Sequence, residues 1–421
     1  MCVRYGGLRA AGIVAGLWAS IGVTGTARCQ EKTSVWEFQH SHVLTASYDT
    51  LQAAEGAMPS PDRQGSLLFA SKLSLRCSSE ACKGLTLAAR PWIGGLTGNM
   101  SQSRNLRLRD VFRNPTLRFQ EAYFTIRPLS AVSIGGGKQV MGWGPGILYS
   151  PTNRLFGETM FSSQQREVEG RTMLRATLDI PAASARVSVL AARPDRDRIG
   201  QAATQPFFYM TRAEYLGSGE KAINAGIVAG GSRLYQTYAG GYFQALVAGA
   251  WTVGLEGSLS SAYAKPSATW AGIPGAPSSS RLTGDFLVNA RYGLTSGGEI
   301  GAEFVWNGFA IDPRYYRALR DIYPALIAAS VNGMPFHPLL ESQYWVAHVR
   351  LPRLPPVRRV TLMSSFTYAR PGNGALGFLE MSHTTDHLTI FGSLSQAFGP
   401  EQSTLRYPFA RTYRLGISYS I

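Results

Sequence analysis

The sequence predicts an all-β protein: a transmembrane, antiparallel β-barrel of 18 strands. Three observations lead there. Apolar and polar residues alternate with period two in segments of about ten residues, the length of a tilted strand across a bilayer. The connections between these segments are short and long in turn. The composition is rich in Gly (46 of 421 residues) and aromatics (19 Tyr, 19 Phe, 8 Trp), yet no stretch after the N-terminal leader holds the about 18 consecutive apolar residues of a helical span.

The leader comes first. "MCVRYGGLR" carries Arg4 and Arg9, an apolar core "AAGIVAGLWASIGVTG" follows, and "GTA" sets small residues before a cut after Ala27. Residues 1–27 are therefore expected to be a removable signal peptide, 28–34 a short periplasmic segment, and 35–421 the barrel. The formal charge of +15 falls to +13 once Arg4 and Arg9 leave. In an exported protein that excess points away from nucleic acid and toward anionic partners: outer-membrane lipid, lipopolysaccharide, anionic solutes or acidic sugars. Cys77 and Cys82, in "CSSEAC", are spaced to close a small loop in an oxidising compartment.

Strands are read near 35–48, 65–76, 83–91, 117–127, 131–141, 168–180, 185–193, 206–216 and 222–231. They continue near 236–247, 251–263, 283–293, 298–308, 342–352, 358–369, 375–382, 387–397 and 411–421. In "RTMLRATLDI" (171–180), Thr172, Leu174, Ala176, Leu178 and Ile180 share one side, and Arg171, Met173, Arg175, Thr177 and Asp179 the other. "FLVNARY" and "EIGAEFVW" repeat the pattern. A soluble sandwich also alternates, so the connections decide. "CSSEAC", "PLS", "PAA", "GSGEK", "AGA", "LTSGG", "PRLPP" and "HTTD" are short. The intervening ones are mostly long: 49–64, 92–116, 142–167, 194–205, 264–282, 309–341 and 398–410. Both termini lie on the short-turn side, as in outer-membrane barrels, and soft boundaries leave 16 as an alternative count. Trp36, Tyr48, Tyr215, Trp251, Tyr263, Tyr292, Trp306 and Tyr368 are placed for interfacial girdles.

The chemistry-bearing residues follow from this register. There is no nucleophile elbow, His-Glu-x-x-His or Walker loop, so no catalytic role, cofactor or metal is expected. His40 and His42 share a face without a third ligand, and read as paired lumen polar residues. Inward positions include Arg171, Arg175, Arg186, Arg212, Glu214, Glu256, Arg291, Glu299, Glu303, His348 and Arg350. Opposed rows of Arg and Glu would set a transverse field and sort solutes by charge; the alternative is that they only satisfy one another in a wide wet lumen. Four arginines of one long connection, Arg104, Arg107, Arg109 and Arg113, either fold into the pore or face lipopolysaccharide. Residues 312–330 carry a helical spacing interrupted at Pro324.

The segment "GGGKQVMGWGPGILYSPTNRLFG" (135–157) leads from a strand into a long outer connection. Ser133, Gly135, Gly137 and Gln139 fall on the inward face, which puts Lys138 on the lipid side unless a bulge turns it in. The connection is expected to fold into the mouth as a constriction or sugar-contacting rim, with Lys138, Gln139, Trp143, Tyr149, Asn153 and Arg154 as its contact residues.

The strand count and connection pattern resemble the 18-stranded outer-membrane barrels that include specific porins and polysaccharide exporters. "WGPGILYSPTN" locally resembles the Trp-Gly-Pro-Gly segment of Wzi-type capsule-assembly proteins. The first resemblance implies a monomeric channel for polar, anionic or saccharide-like solutes or polymer. The second implies a plugged barrel acting as a surface lectin for capsule or exopolysaccharide.

Overall fold

The structure, a computed structural model, describes residues 36–53, 63–77, 82, 84–97, 116–155, 170–193, 207–217, 222–232, 237–260, 282–310, 341–354, 359–400, 403, 405 and 409–420. Its strands are β1 (Trp36–Ala53), β2 (Arg63–Cys77), β3 (Thr86–Thr97), β4 (Thr116–Leu129), β5 (Val132–Gln139) and β6 (Arg171–Ile180). Next come β7 (Ala185–Ala192), β8 (Phe208–Leu216), β9 (Ile223–Ser232), β10 (Tyr238–Val247), β11 (Trp251–Ser260) and β12 (Thr283–Gly293). The last are β13 (Glu299–Asn307), β14 (Gln343–Leu351), β15 (Val360–Arg370), β16 (Gly374–Thr384), β17 (Leu388–Phe398) and β18 (Phe409–Ser420). Each strand pairs antiparallel with its sequence neighbours, and β1 pairs with β18 from Val43↔Ser420, closing the sheet. Closure leaves no open edge, so every strand backbone can be satisfied within hydrocarbon.

All 18 predicted strands have a counterpart. The largest departures are at β1, which runs on to Ala53, and β3, which continues through residues expected to open a loop. "GGLT" read as a loop because glycine weakens strand propensity. In a closed sheet the ladder to β2 continues regardless, with Gly94 opposite Leu68 and Thr97 opposite Gly65. Pro91, which lacks a ladder donor, sits at a register shift against β4, where a bulge tolerates it.

The alternation reads directly as outward and inward. On β6, Leu174 is 59% exposed while Met173 is 3% exposed. Trp36, Tyr48, Tyr215, Trp251, Tyr292 and Trp306 of the expected girdles are outward and exposed; Tyr263 lies outside the described residues. Arg104, Arg107, Arg109, Arg113 and residues 312–330 also lie outside them, as do residues 1–35. His40 and His42 share a face, their rings 5.4 Å apart, but it is not the lumen face. They stand in register with outward Trp36 and Phe38, and His42 Nδ1 lies 2.8 Å from Ser71 Oγ. The bulge at the β1 end that precedes Ala53 comes after both histidines and leaves their register untouched. Cys77 and Cys82 are disulfide-bonded across the turn from β2 to β3, with Cα atoms 6.2 Å apart.

The buried apolar clusters are not in the wall itself. They lie between the wall and the connection that follows β5. Met141 and Leu155 pack with Met173, Leu190, Phe208 and Met210. Leu148 and Tyr149 pack with Leu287, Val305, Tyr344 and Val346. These wall residues are inward positions of β6–β8 and β12–β14, so residues 141–155 run across the interior of the barrel.

Candidate functional site

β5 launches this loop through a run of close approaches. Gly137 has φ +119, and a Cβ there would lie 2.3 Å from the Ala122 carbonyl oxygen, so no other residue fits without moving β4. The β5–β6 register is continuous from Val132↔Leu178 to Gln139↔Arg171. Lys138 therefore keeps its outward place opposite Thr172, and is not part of the lumen loop as expected. Gln139 faces inward and is buried.

The loop docks on three neighbouring strands. Gly144 has φ +83, and a Cβ there would fall 2.5 Å from a Glu256 oxygen. Pro145 sits against Gly254 of β11, whose Cβ would lie 2.6 Å from the proline ring. Asn289 of β12 donates through Nδ2 to the Pro145 carbonyl at 2.6 Å. Thus "WGPG" is shaped to lie flat on the inner wall.

Three buried carboxylates complete the seat, one each on β11, β12 and β13. Glu256 accepts from the Thr152 N–H at 2.7 Å, the Thr152 hydroxyl at 2.6 Å and the Ser150 hydroxyl. Glu303 accepts from the Ile147 and Leu148 N–H groups at 2.6 and 2.9 Å. Asp285 accepts from Arg154 Nη2 at 2.8 Å and from Ser258 Oγ at 2.7 Å. Arg154 also donates to Ser258 and to the Tyr149 hydroxyl, both at 2.7 Å, and its guanidinium lies 4.7 Å from the Phe309 ring centre. A carboxylate out of water is tolerated when such donors replace its hydration. Trp143 Nε1 donates to the Thr152 hydroxyl at 3.2 Å, and Asn153 Nδ2 to the Met141 carbonyl at 3.4 Å, bracing the loop internally.

The expected contact residues therefore change role. Tyr149, Asn153 and Arg154 are buried anchors, and Glu256 and Glu303 hold the loop instead of forming an open acidic row. Arg171 is buried too, donating through Nη1 to the Leu155 carbonyl at 3.3 Å. Arg212 pairs with Glu214 at 2.7 Å and lies 5.0 Å from the Trp143 ring centre. Half-buried Arg175 comes to 3.8 Å from the Met141 sulfur, beside Gly135, whose missing side chain leaves its guanidinium room. The exposed side of the loop is Gly142, where a Cβ would meet nothing within 4 Å.

Other expected lumen residues sit apart, near the short-turn end. Arg186 pairs with Asp179 at 2.6 Å. His348 Nε2 is 3.5 Å from Glu299. His348 and Arg291 fill the space that Gly301 leaves. Arg350 is opposite Glu299 on the ladder and exposed. The positions that sequence reasoning missed are Ser150, Thr152, Ser258, Asp285 and Asn289. The readable signal was an acid in inward register on each of three successive strands, in a chain with only 26 acids.

Among the described residues, no group of three or more His, Cys, Asp or Glu is placed to hold a metal ion, and no helix is long and apolar enough to cross a membrane. A closed barrel with an apolar outward belt, girdle aromatics and an inward loop defines an integral outer-membrane β-barrel with a narrowed lumen. No family model matches the sequence, and no curated protein matches it. Among solved structures, the chain is similar to OccAB1 of Acinetobacter baumannii: 14% identical, covering 91% of this chain and 96% of that one, with a TM-score of 0.58. OccK11 (OpdR) of Pseudomonas aeruginosa is 14% identical over 91% and 96% of the two chains, with a TM-score of 0.57. OccK5 (OpdH) of the same organism is 11% identical over 91% and 98%, with a TM-score of 0.56. At such identities the likeness is one of fold. The Wzi-type resemblance receives no support from them.

Proposed function

We propose that the protein is an outer-membrane channel passing small polar, anionic solutes by diffusion. The observation that carries this reading is the fate of the lumen acids on β11–β13. Glu256, Asp285 and Glu303 are covered by the loop, Glu299 lies 3.5 Å from His348, and Asp179 and Glu214 are paired with arginines. The inward charges along β2–β6 include Arg175, Lys72 and Arg76 against Glu121, with Glu37 of β1 opposite Arg76. The cations outnumber the acids left open to the lumen, a balance that favours anions, and Arg in particular suits carboxylate and phosphate groups. The loop spans the interior from β5 to β13, so small solutes suit this lumen better than a polymer.

Reconstitution in planar bilayers under a salt gradient tests the reading. The expected result is ohmic single-channel current with a reversal potential on the anion side. A folded barrel that stays electrically silent, or one that prefers cations, would overturn it.

A further inference from the structure

The outward face carries a feature that solute passage does not use. Arg370 ends β15 and Arg411 lies near the start of β18, so both are at the long-connection end of the barrel. Both are in register with outward side chains: Arg370 with Phe366, which is 49% exposed, and Arg411 with Tyr413, which is 44% exposed. An arginine at a membrane rim normally extends away from hydrocarbon toward water. Each of these two is also held by a tyrosine two residues away on its own strand. Arg370 Nε donates to the Tyr368 hydroxyl at 3.3 Å, with its guanidinium 6.0 Å from that ring centre. Arg411 Nη1 donates to the Tyr413 hydroxyl at 3.1 Å, with its guanidinium 5.9 Å from the ring centre. β15 rises toward the rim and β18 descends from it, so Tyr368 and Tyr413 each lie on the membrane side of their arginine.

Further bonds fix both positions. The Tyr368 hydroxyl donates to Asn373 Oδ1 at 2.9 Å, and Arg411 Nε donates to Gln396 of β17. β15 and β16 are joined by only three residues, 371–373, so the rim is low here. Between the two arginines, Ala375 and Gly377 of β16 are in outward register with Phe366 and Phe398; Ala375 is covered by its neighbours, and the two phenylalanines, 49% and 51% exposed, present the apolar surface. The Phe398 ring lies along Gly377, 3.5 Å from where a Cβ would stand.

We propose that this β15–β18 face binds a phosphorylated glycolipid of the outer leaflet, with Arg370 and Arg411 each holding a headgroup phosphate and exposed Phe366 and Phe398 meeting its acyl chains. Guanidinium groups suit phosphate because their planar fork offers paired donors. The tyrosines set those forks at headgroup depth, where the aromatic belt meets charged lipid. The charge complementarity selects an anion, and the outer end of the barrel selects the leaflet.

Native mass spectrometry of the full barrel in detergent tests the assignment, with diphosphorylated lipid A, its dephosphorylated form and phosphatidylglycerol as probes. The wild type is expected to retain diphosphorylated lipid A and to lose the other two. R370Q/R411Q should lower retention about tenfold or more, because charge-assisted hydrogen bonds are removed. R353Q/R359Q, which removes the same charge at the opposite end of the barrel, should retain it fully. If the double variant does not fold, as judged by heat-dependent gel mobility, the single variants should each show a partial loss. Equal retention by R370Q/R411Q or by both single variants overturns the proposal, as does equally firm retention of phosphatidylglycerol or of the dephosphorylated glycolipid.

Discussion

Thr152 places both its backbone N–H, at 2.7 Å, and its hydroxyl, at 2.6 Å, on the Glu256 carboxylate, 104 residues further along the chain. Two bonds from one residue to one acceptor fix a loop segment in position and orientation. Ser150 adds a third donor to the same carboxylate. With Glu303 receiving two loop N–H groups, the loop is held mainly by acceptors that the wall supplies.

Glu256→Ala leaves the Thr152 N–H and hydroxyl buried without an acceptor, at about 1–3 kcal/mol each, while the Ser150 hydroxyl keeps the Trp143 carbonyl at 3.2 Å. The barrel ladder is untouched, so the variant should fold and insert normally. Its loop should loosen, and single-channel recordings should show larger current with more open-channel noise. Thr152→Val removes one of the bonds to Glu256 and the one from Trp143, keeps the Thr152 N–H on the carboxylate, and should produce a smaller change of the same sign.

Gly144→Ala should resemble Glu256→Ala although no hydrogen-bonding group is removed. Its φ of +83 is strained for alanine, and the added Cβ would meet the Glu256 oxygens at 2.5 and 2.8 Å. Gly142→Ala, two residues earlier, adds a methyl where nothing lies within 4 Å, and should leave the current close to wild type. Equal behaviour of the two variants in the same recordings would contradict the docking geometry.

The Arg154–Asp285 pair is fully buried, with side chains 1% and 0% exposed. Breaking such a pair from one side costs about 3–5 kcal/mol, since it strands the other charge. Arg154→Met and Asp285→Asn should each loosen the loop, and the double variant should do so by less than the sum. A double-mutant cycle on loop protease sensitivity measures this coupling. Strict additivity would show that the two side chains do not act together.

Arg175→Gln should weaken anion preference more than Arg212→Gln. Arg212 is neutralised by Glu214 at 2.7 Å and lies 5.0 Å from the Trp143 ring centre. Arg175 has a methionine sulfur at 3.8 Å and sits beside a glycine. Reversal potentials under a salt gradient rank the two, and the difference should shrink at high salt.

The wall was legible in the sequence, and the loop's attachment was legible only in part. Period-two alternation reports which face each strand residue occupies, because a one-residue slip would expose the whole set. That is why Arg171, Glu256 and His348 were all placed inward from their neighbours alone. Alternation carries no information on what a distant loop does to an inward residue. Glu256 therefore looked like an open charge facing Arg, when it is the acceptor for Ser150 and Thr152. The same limit applies to Arg154 and Tyr149, whose polarity suggested solute contact and whose burial shows anchoring. Lys138 was decided by register, since no bulge interrupts β5 against β6. His40 and His42 were misplaced because neither polar residue fits the apolar rule for an outward face.

Single-channel conductance of E256Q/E303Q against wild type bears on the central claim, that a loop seated on wall carboxylates narrows the lumen. Both substitutions keep side-chain size while removing the charge that binds the Ile147, Leu148 and Thr152 N–H groups. The account predicts a clearly larger conductance with a weaker anion preference at unchanged barrel fold. A folded double variant with wild-type conductance and selectivity would contradict it.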